Sequence, residues 1–469
     1  MSETCDPLVL GRNPGSPSIS TTRIRVVAGI VLAVLVRLIL MPISLHGDVF
    51  YIHSMPPVIF SEGVWNIYKY FESYGVRHGF IHYAPLVGYI TAFSEFIASL
   101  ISSSFHGFIV ELPKLTLDEG GVSSVVFFMQ YPLANRLLFA FLMKWPYFFF
   151  DLACGFMIYF AYREEKGLAW FSLLSSWMFH PVLLYGVYVF GQHRIFSAMF
   201  VWLAILLLKK GRPAWACFAF GWILLLDNFG FIILLPFIIS VSWNFKAIFK
   251  HSLIALIPFA LVFFPLYIGS DGFAAYAYVA PQWVFQATQP IFRSIPFSAL
   301  VLKGAFAAGF ICVLIILIRY RSVPLTPDQK MKLNIYVCSV VLFLFYAATM
   351  VSVHYFLWIL PFFLILNRES VPWPKYLNLV LIFLLFFFNL DSRGQNLGLF
   401  SPVNPAASSW PSLHEIMASW TPWGKIIGLS RMAFTVLCLF MAWRLFGQRI
   451  KPLLQNARAQ VITEQSSKE

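Results

Sequence analysis

Charge is scarce in this chain. Only 11% of its 469 residues are Asp, Glu, Lys or Arg, where a soluble domain has roughly 25%. Acidic residues number 20 and basic residues 33, which gives a formal charge of +13 at pH 7. That excess does not form a stripe of the kind that follows a nucleic-acid backbone. Arg23, Arg25, Lys209, Lys210, Arg212, Arg319, Arg321, Arg444, Arg449 and Lys451 instead flank apolar runs, as cytoplasmic loop ends do in membrane proteins. Also lacking are a Walker loop, a Rossmann glycine fingerprint, a nucleophile elbow and a zinc signature. No soluble nucleotide-binding domain is present, so any group-transfer donor reaches the chain through lipid or from outside. The six cysteines have no metal-ligand spacing: Cys5 is in the N-terminal tail, and the others lie in or beside apolar runs. The first 22 residues are rich in Ser, Pro and Gly and lack the apolar middle of a signal peptide, so 1–22 is expected to be a disordered cytoplasmic tail.

Apolar length is abundant. Hydrophobic residues make up 59% of the chain, with 51 Phe, 15 Trp and 20 Tyr, and the mean hydropathy is +0.77. A helix needs about 20 mainly apolar residues to cross a bilayer, and this sequence repeats that length many times. It predicts an all-α polytopic membrane protein of about 11–13 helices. The run Val26–Ile43 belongs to an uncleaved first span over 24–44. An outer loop over 45–80 follows, with Val58–Tyr74 suited to an amphipathic helix on the membrane surface. A second span is expected over 81–104, a loop over 105–120 and a short apolar piece over 121–134. Further spans are expected at 137–160, 168–189 and 195–208, the last two separated by the polar break Gly191-Gln192-His193-Arg194. Residues 214–243, interrupted by Asp227-Asn228-Phe229-Gly230, form either one long helix or two half-length pieces. Spans then follow at 251–268, 298–318, 333–350, 354–367, 376–390 and 426–443. Both termini are expected inside, with outer loops at 269–297 and 391–425.

In so apolar a chain each carboxylate counts, because an ionised one is costly at membrane depth unless paired or wetted. Asp48, in His46-Gly47-Asp48-Val49-Phe50-Tyr51, stands just past the first span. It is either a general base beside an aromatic wall or a helix-end acid without chemistry. His82 opens the second span and either binds phosphate or makes an interfacial hydrogen bond. Pro85 suits a first helical turn. Lys144 and Asp151 are seven residues apart on one helical face, and as buried charges they need partners, most simply on other helices. Gln192, His193 and Arg194 offer donors and a positive charge between apolar runs, which suits either an anionic lipid phosphate or a capping role. His354 falls at the same level as Asp48, followed by Tyr355. With Arg194 and Arg293 it can cradle a lipid-linked phosphate.

Taken in order, these landmarks resemble the GT-C superfamily of integral membrane glycosyltransferases, nearest to the asparagine-linked glycosylation glucosyltransferases and bacterial mannosyltransferase-like relatives. The likeness rests on His46-Gly-Asp48 in the first outer loop, Tyr83-Ala-Pro-Leu86 with Lys144-Trp-Pro146 and Asp151, His180-Pro181 with Gly191-Gln-His193, and His354-Tyr-Phe-Leu-Trp-Ile-Leu-Pro361. Three positions depart from the family pattern. His193 stands where an acidic or other polar residue is usual, Asp227 where a lysine is often found, and Asp48 has no second carboxylate in an Asp-Xaa-Asp arrangement.

The resemblance implies a GT-C-like bundle with short outer-face helices in the first loop. Residues 23–268 would form the catalytic module and 269–445 a variable module, and 446–469 would be a cytoplasmic tail. It further implies transfer of a hexose, with inversion, from a polyprenyl- or dolichyl-phosphate sugar to a hydroxyl of a lipid-linked glycan or other membrane acceptor. Asp48 would be the catalytic base, and His82, Gln192, His193, Arg194, Arg293, His354 and Tyr355 would bind substrate or lipid phosphate. No cofactor is expected, and metal-independent action is favoured. Partners would be the lipid-linked donor, the acceptor and membrane lipids, with no nucleic acid. The expected setting is a bacterial inner membrane with the site facing the periplasm, or alternatively the endoplasmic reticulum membrane with the site facing the lumen. The competing function is transport or flipping of a lipid-linked saccharide, which many helices and broken segments also suit.

Overall fold

The computed structural model describes residues 19–61, 63, 65–73, 83–119, 122–165, 169–227, 229–242, 244–269, 296–320, 323, 325–349, 352–369, 375–389, 397–411, 413–420 and 422–466. Residues 1–18 of the expected tail 1–22, most of the loop 269–297, and the site candidates His82 and Arg293 lie outside the described residues, and residues 19–22 of that tail are helical instead of disordered, as the start of helix Ile19–Ile43. Among the described residues the secondary structure is helical, without strands.

Five helices are long and apolar enough to cross a membrane. They are α1 (Ile19–Ile43), α8 (Leu133–Tyr162), α14 (Phe245–Gly269), α16 (Pro327–Ala348) and the rod Trp423–Gln460. Their burial sorts them by position. In α16, 89% of the apolar window is covered by protein, whereas in α1 and α14 only 17% is covered. Thus α16 is the axis of its half of the bundle, and α1 and α14 give most of their apolar surface to lipid. Ile24, Val27, Val31, Leu35 and Ile39 on α1 are exposed, as are Leu253, Leu261 and Phe264 on α14. The chain is therefore a membrane-embedded all-α protein.

Shorter helices complete the bundle. They are α9 (Ala169–Met178), α10 (Pro181–Leu183) with its π-helical continuation Leu184–Val189, α11 (Arg194–Lys209), α12 (Pro213–Gly221) with a 3-10 turn Trp222–Leu225, and α13 (Phe229–Val241). After them come α15 (Pro296–Arg319), a 3-10 turn Val353–Trp358 leading into α17 (Leu360–Arg368), and α18 (Lys375–Asn389). α19 (Leu413–Ala418) precedes α20 (Trp423–Leu445), which runs through a π turn into α21 (Lys451–Ser466). Residues 214–243 thus form two pieces, divided at Asp227. Proline sets several starts: Pro85, Pro181, Pro213 and Pro327 each sit in a first turn, where a missing N–H costs nothing. Thr326 and Gln329 add a reciprocal capping box to α16.

Three sequence expectations change in the first outer region. Val58–Tyr74 is not one amphipathic helix. It contains parts of α3 (Pro56–Ser61) and α4 (Ile67–Ser73), which follow α2 (Gly47–Ser54). The expected loop 105–120 is instead helix α6 (Ser103–Glu119), whose Phe105, Phe108, Ile109 and Leu112 are buried. The expected second span over 81–104 is divided at Ser102 between α5 (Pro85–Ile101), which packs against α2, α3, α6 and α8, and the start of α6. Ala84 and Ala92 share a buried cluster with Met55, Val58 and Tyr68, and Ala98 shares one with Leu45, Val49 and Phe50. α5, α6 and α7 (Val122–Met129) pack around α2. Sequence hydropathy counts apolar residues but does not distinguish lipid from an aromatic protein neighbour, which is why α6 escaped it.

Polar contacts bind the helices, as expected where lipid competes for every apolar surface. Asp151 on α8 receives Arg37 Nε at 2.6 Å, Tyr188 OH at 2.6 Å and Trp177 Nε1 at 2.7 Å. The helix-to-helix partners expected for Asp151 are thus Arg37 on α1 and two aromatic donors. Arg431 on α20 caps the end of α16 through the carbonyls of Tyr346 (2.9 Å) and Thr349. At the opposite end of the bundle Glu165 accepts from Lys209 at 2.6 Å and from Arg368, gathering the ends of α8, α11 and α17. Basic residues from separate loops therefore share one end, and Asp48 marks the other.

Candidate functional site

Asp48 sits in the first turn of α2, where the helix dipole favours a carboxylate. Its side chain is 38% exposed. Gln192 Nε2 donates to its Oδ2 at 2.7 Å. His46 is the N-cap of the same helix, and its Nδ1 accepts the Asp48 backbone N–H at 3.1 Å. A ring nitrogen that accepts carries no proton, so this Nδ1 is not a donor to Asp48 Oδ1, 3.4 Å away. Burial also lowers the His46 pKa below its usual 6.5, against the raising effect of Asp48. Among the described residues, Asp48 pairs with no Lys or Arg.

Gln192 reaches Asp48 because the chain turns sharply at Gly191. Its φ of +82° is one that L side chains rarely adopt. A Cβ there would lie 2.5 Å from Val49 Cγ2 and 3.2 Å from Lys144 Cε. Lys144 braces this turn from below. Its Nζ donates to the Ser44 carbonyl, to Ser44 Oγ at 3.2 Å and to the Tyr188 carbonyl at 2.8 Å. It thereby joins the last turn of α1 to the π segment before Gly191 and fixes the two strands of chain that carry Asp48 and Gln192. Gln192 Oε1 is buried without a hydrogen-bond partner.

The other predicted residues form an adjoining cluster. His193 is fully buried, with Nε2 accepting from Arg194 Nη1 at 2.8 Å and the Tyr83 ring edge-on at 5.1 Å. Burial first, and then Arg194 and His354, press its pKa well below 6.5. Arg194 forms an ion pair with Asp227, which also accepts from Ser197 Oγ. The guanidinium lies over Tyr355 and Trp358, at 5.1 and 5.4 Å from the ring centroids. His354 is buried, hydrogen-bonds Ser352 Oγ at 3.1 Å, and lies 4.9 Å from the Phe190 ring. Phe190 in turn stacks on His46 at 3.7 Å. His354 can approach the π segment because Gly186 has no side chain: a Cβ there would be 3.2 Å from His354 Cα.

Asp48, Gln192, His193, Arg194, His354 and Tyr355 are thus continuous through Phe190 and Arg194, although they come from three separate stretches of chain. Gln192 faces Asp48, and Arg194 faces Asp227. Sequence reasoning passed over several members of this region. Ser44 and Ser197 carry no signal of their own. His53 and Glu95, which touch at 2.5 Å and are buried, were also passed over. Glu95 was detectable, because it is the lone charge in the run Pro85–Ile101. No family model, curated protein or solved structure matches the chain.

Proposed function

We propose that this protein is a polyprenyl-phosphate-sugar-dependent hexosyltransferase of the GT-C type, with about 11–13 helices in the membrane and Asp48 at the outer face, in a bacterial inner membrane. The observation that supports this most is the setting of Asp48. It is a part-exposed carboxylate held in place by a neutral amide, with a histidine turned away from proton donation. Such a group has one oxygen oriented and the other open to a hydroxyl.

In the reaction, Asp48 Oδ1 takes the proton of the acceptor hydroxyl. The freed oxygen attacks the anomeric carbon, forming the new glycosidic bond. The bond from that carbon to the lipid phosphate breaks on the opposite face, and the phosphate leaves with the electron pair, so the configuration inverts. Gln192 orients Asp48 through its Nε2. Phosphate charge in the leaving group would draw on His354 and on Arg194. Arg194 reaches it only in competition with Asp227.

The test uses the purified protein in lipid nanodiscs, a panel of radiolabelled polyprenyl-phosphate sugars and extracted membrane lipids as acceptors. Wild type should transfer label from one donor, and Asp48→Asn should lose at least ~100-fold of that rate while eluting as folded protein. Equal rates in both would remove Asp48 as the base.

A second reading, movement of a lipid-linked saccharide, is favoured by one feature. The helix breaks at 190–193 and 226–227 meet at the Arg194–Asp227 pair, as broken helices do at transporter sites. The same panel separates the two, because transport moves the donor intact and releases no lipid phosphate.

A further inference from the structure

α2 carries Asp48 in its first turn and His53 in its last, about 7.5 Å further along the axis at 1.5 Å per residue. Gln192 holds the first turn. Glu95 of α5 holds the last, because its Oε1 lies 2.5 Å from His53 Nδ1. Both side chains are fully buried. An ionisable residue in a run as apolar as Pro85–Ile101 marks a functional site by default, and the partner of this one is His53.

The surroundings do not answer a charge on either member. Among the described residues, neither pairs with a Lys, an Arg or a second carboxylate. Glu95 Oε2, His53 Nε2 and the hydroxyl of Tyr147 on α8 have no hydrogen-bond partner, and the Tyr147 ring lies 6.5 Å from the imidazole. The Met143 carbonyl favours a proton on the ring without meeting Nε2 at hydrogen-bonding geometry. Of the other elements packed against α2, α3 and α7 carry no titratable side chain. On α6 His106 and Lys114 are exposed, Glu111 is paired with Lys114 at 3.3 Å, and the buried face is Phe105, Phe108, Ile109 and Leu112. On α8, which packs against α5, Lys144 donates to the Ser44 and Tyr188 carbonyls, and Arg136 turns to Met129 Sδ at 3.7 Å.

A dry site of this kind disfavours net charge. With one proton between them His53 and Glu95 carry none, whichever atom holds it. Removing that proton leaves a carboxylate beside a neutral imidazole, two acceptors facing each other without a donor. We infer that His53 and Glu95 form a one-proton lock that positions α2, and with it Asp48, and that removal of the shared proton releases the His53 end of the helix.

The experiment is hydrogen–deuterium exchange of the full chain in nanodiscs from about pH 6.5 to about pH 10, with intrinsic exchange rates divided out. Over that range a released His53 gains no proton, so of the pair only Glu95 titrates. Glu95 ionises more readily once released into water. Protection of the amides over 51–55 should therefore fall by up to about 10-fold per pH unit, while the amides of α20 stay protected. Glu95→Gln keeps a donor for Nδ1 and has no proton to lose, so its protection should stay level across the range. Glu95→Ala should be less protected than wild type already at the lowest pH. Level protection in wild type, a Glu95→Gln profile that follows wild type, or a Glu95→Ala protein as protected as wild type would each overturn the inference. An equal fall in α20 would show global unfolding and would also overturn it. The readout does not involve sugar transfer, so its failure and that of the proposed function are separate results.

Discussion

Replacing Gly191 by alanine perturbs the Asp48 setting through one methyl group. Two costs arise. A left-handed backbone at φ +82° costs an L residue about 1–2 kcal/mol. The new Cβ would also lie 2.5 Å from Val49 Cγ2, well inside contact distance, and 3.2 Å from Lys144 Cε. Overpacking of that kind costs about 1–3 kcal/mol. The sum is about 2–5 kcal/mol of stability. Val49 is buried and adjoins Asp48 in sequence, so relief of the clash pushes on the α2 turn that carries the carboxylate. The assay is a double-mutant cycle with Gly191→Ala and Val49→Ala, read by unfolding in nanodiscs through tryptophan fluorescence and by transfer rate. Val49→Ala alone leaves a small cavity and costs about 1–3 kcal/mol. In the Gly191→Ala background it should cost far less, because it makes room for the new methyl. The coupling should be about 1–3 kcal/mol in favour of the double mutant, with the backbone term remaining. Additive losses would show that Val49 does not oppose the methyl. A Gly191→Ala protein as stable as wild type would refute the turn geometry itself.

Further outcomes follow from the same contacts. Gln192→Ala removes a part-buried hydrogen bond to a charged group and should cost about 1.5–3 kcal/mol of unfolding free energy, measured by unfolding in nanodiscs. Asp151→Leu leaves Arg37 buried without its carboxylate and should cost about 3–5 kcal/mol, whereas Arg37→Leu/Asp151→Leu should be the milder change; a more severe double mutant would refute the ion-pair account. Burial pulls the His53 imidazole down from 6.5 to about 3, opposed by the Met143 carbonyl. Its folded pKa is below its unfolded one, so its stabilisation is complete above pH 6.5 and is lost as pH falls toward 3. Unfolding free energy should decline as pH falls across that window and decline less in His53→Gln, measured by unfolding in nanodiscs at stepped pH.

The membrane character and the five long apolar helices were legible because hydropathy over about 20 residues is a strong, local signal. Asp48, Gln192 and Arg194 were legible as polar residues where lipid makes polarity costly. What each one faces was not. Gln192 and Asp48 are 144 residues apart, and they meet only because Gly191 turns and Lys144 ties Ser44 to Tyr188. Likewise α6 reads as a loop, since Glu111, Lys114, Asp118 and Glu119 interrupt its hydropathy. Its buried face is the Phe105–Phe108–Leu112 stripe, which only the packing against Phe50, Phe128 and Phe139 explains. Aromatic residues are so common here that such a stripe does not stand out in sequence.

Asp48 and Asp227 show how the fold assigns different chemistry to similar groups. Both lie near the polar break at 191–194. Asp227 is fully enclosed and meets Arg194 and the Ser197 hydroxyl, with His193 3.8 Å away. Its charge is answered by a guanidinium that two aromatic rings hold in place. A proton moved to Asp227 would leave that cation uncompensated in a dry site, at a cost of several kcal/mol. Asp48 has no such partner. Its contacts are an amide and a histidine held neutral by burial, and its side chain is part-exposed. Protonating Asp48 would strand no buried cation, which is why the proposed transfer gives the base role to Asp48 and not to Asp227. Asp227 thus has a local structural role. It supplies the counter-charge for Arg194 and ties the start of α11 to the break before α13.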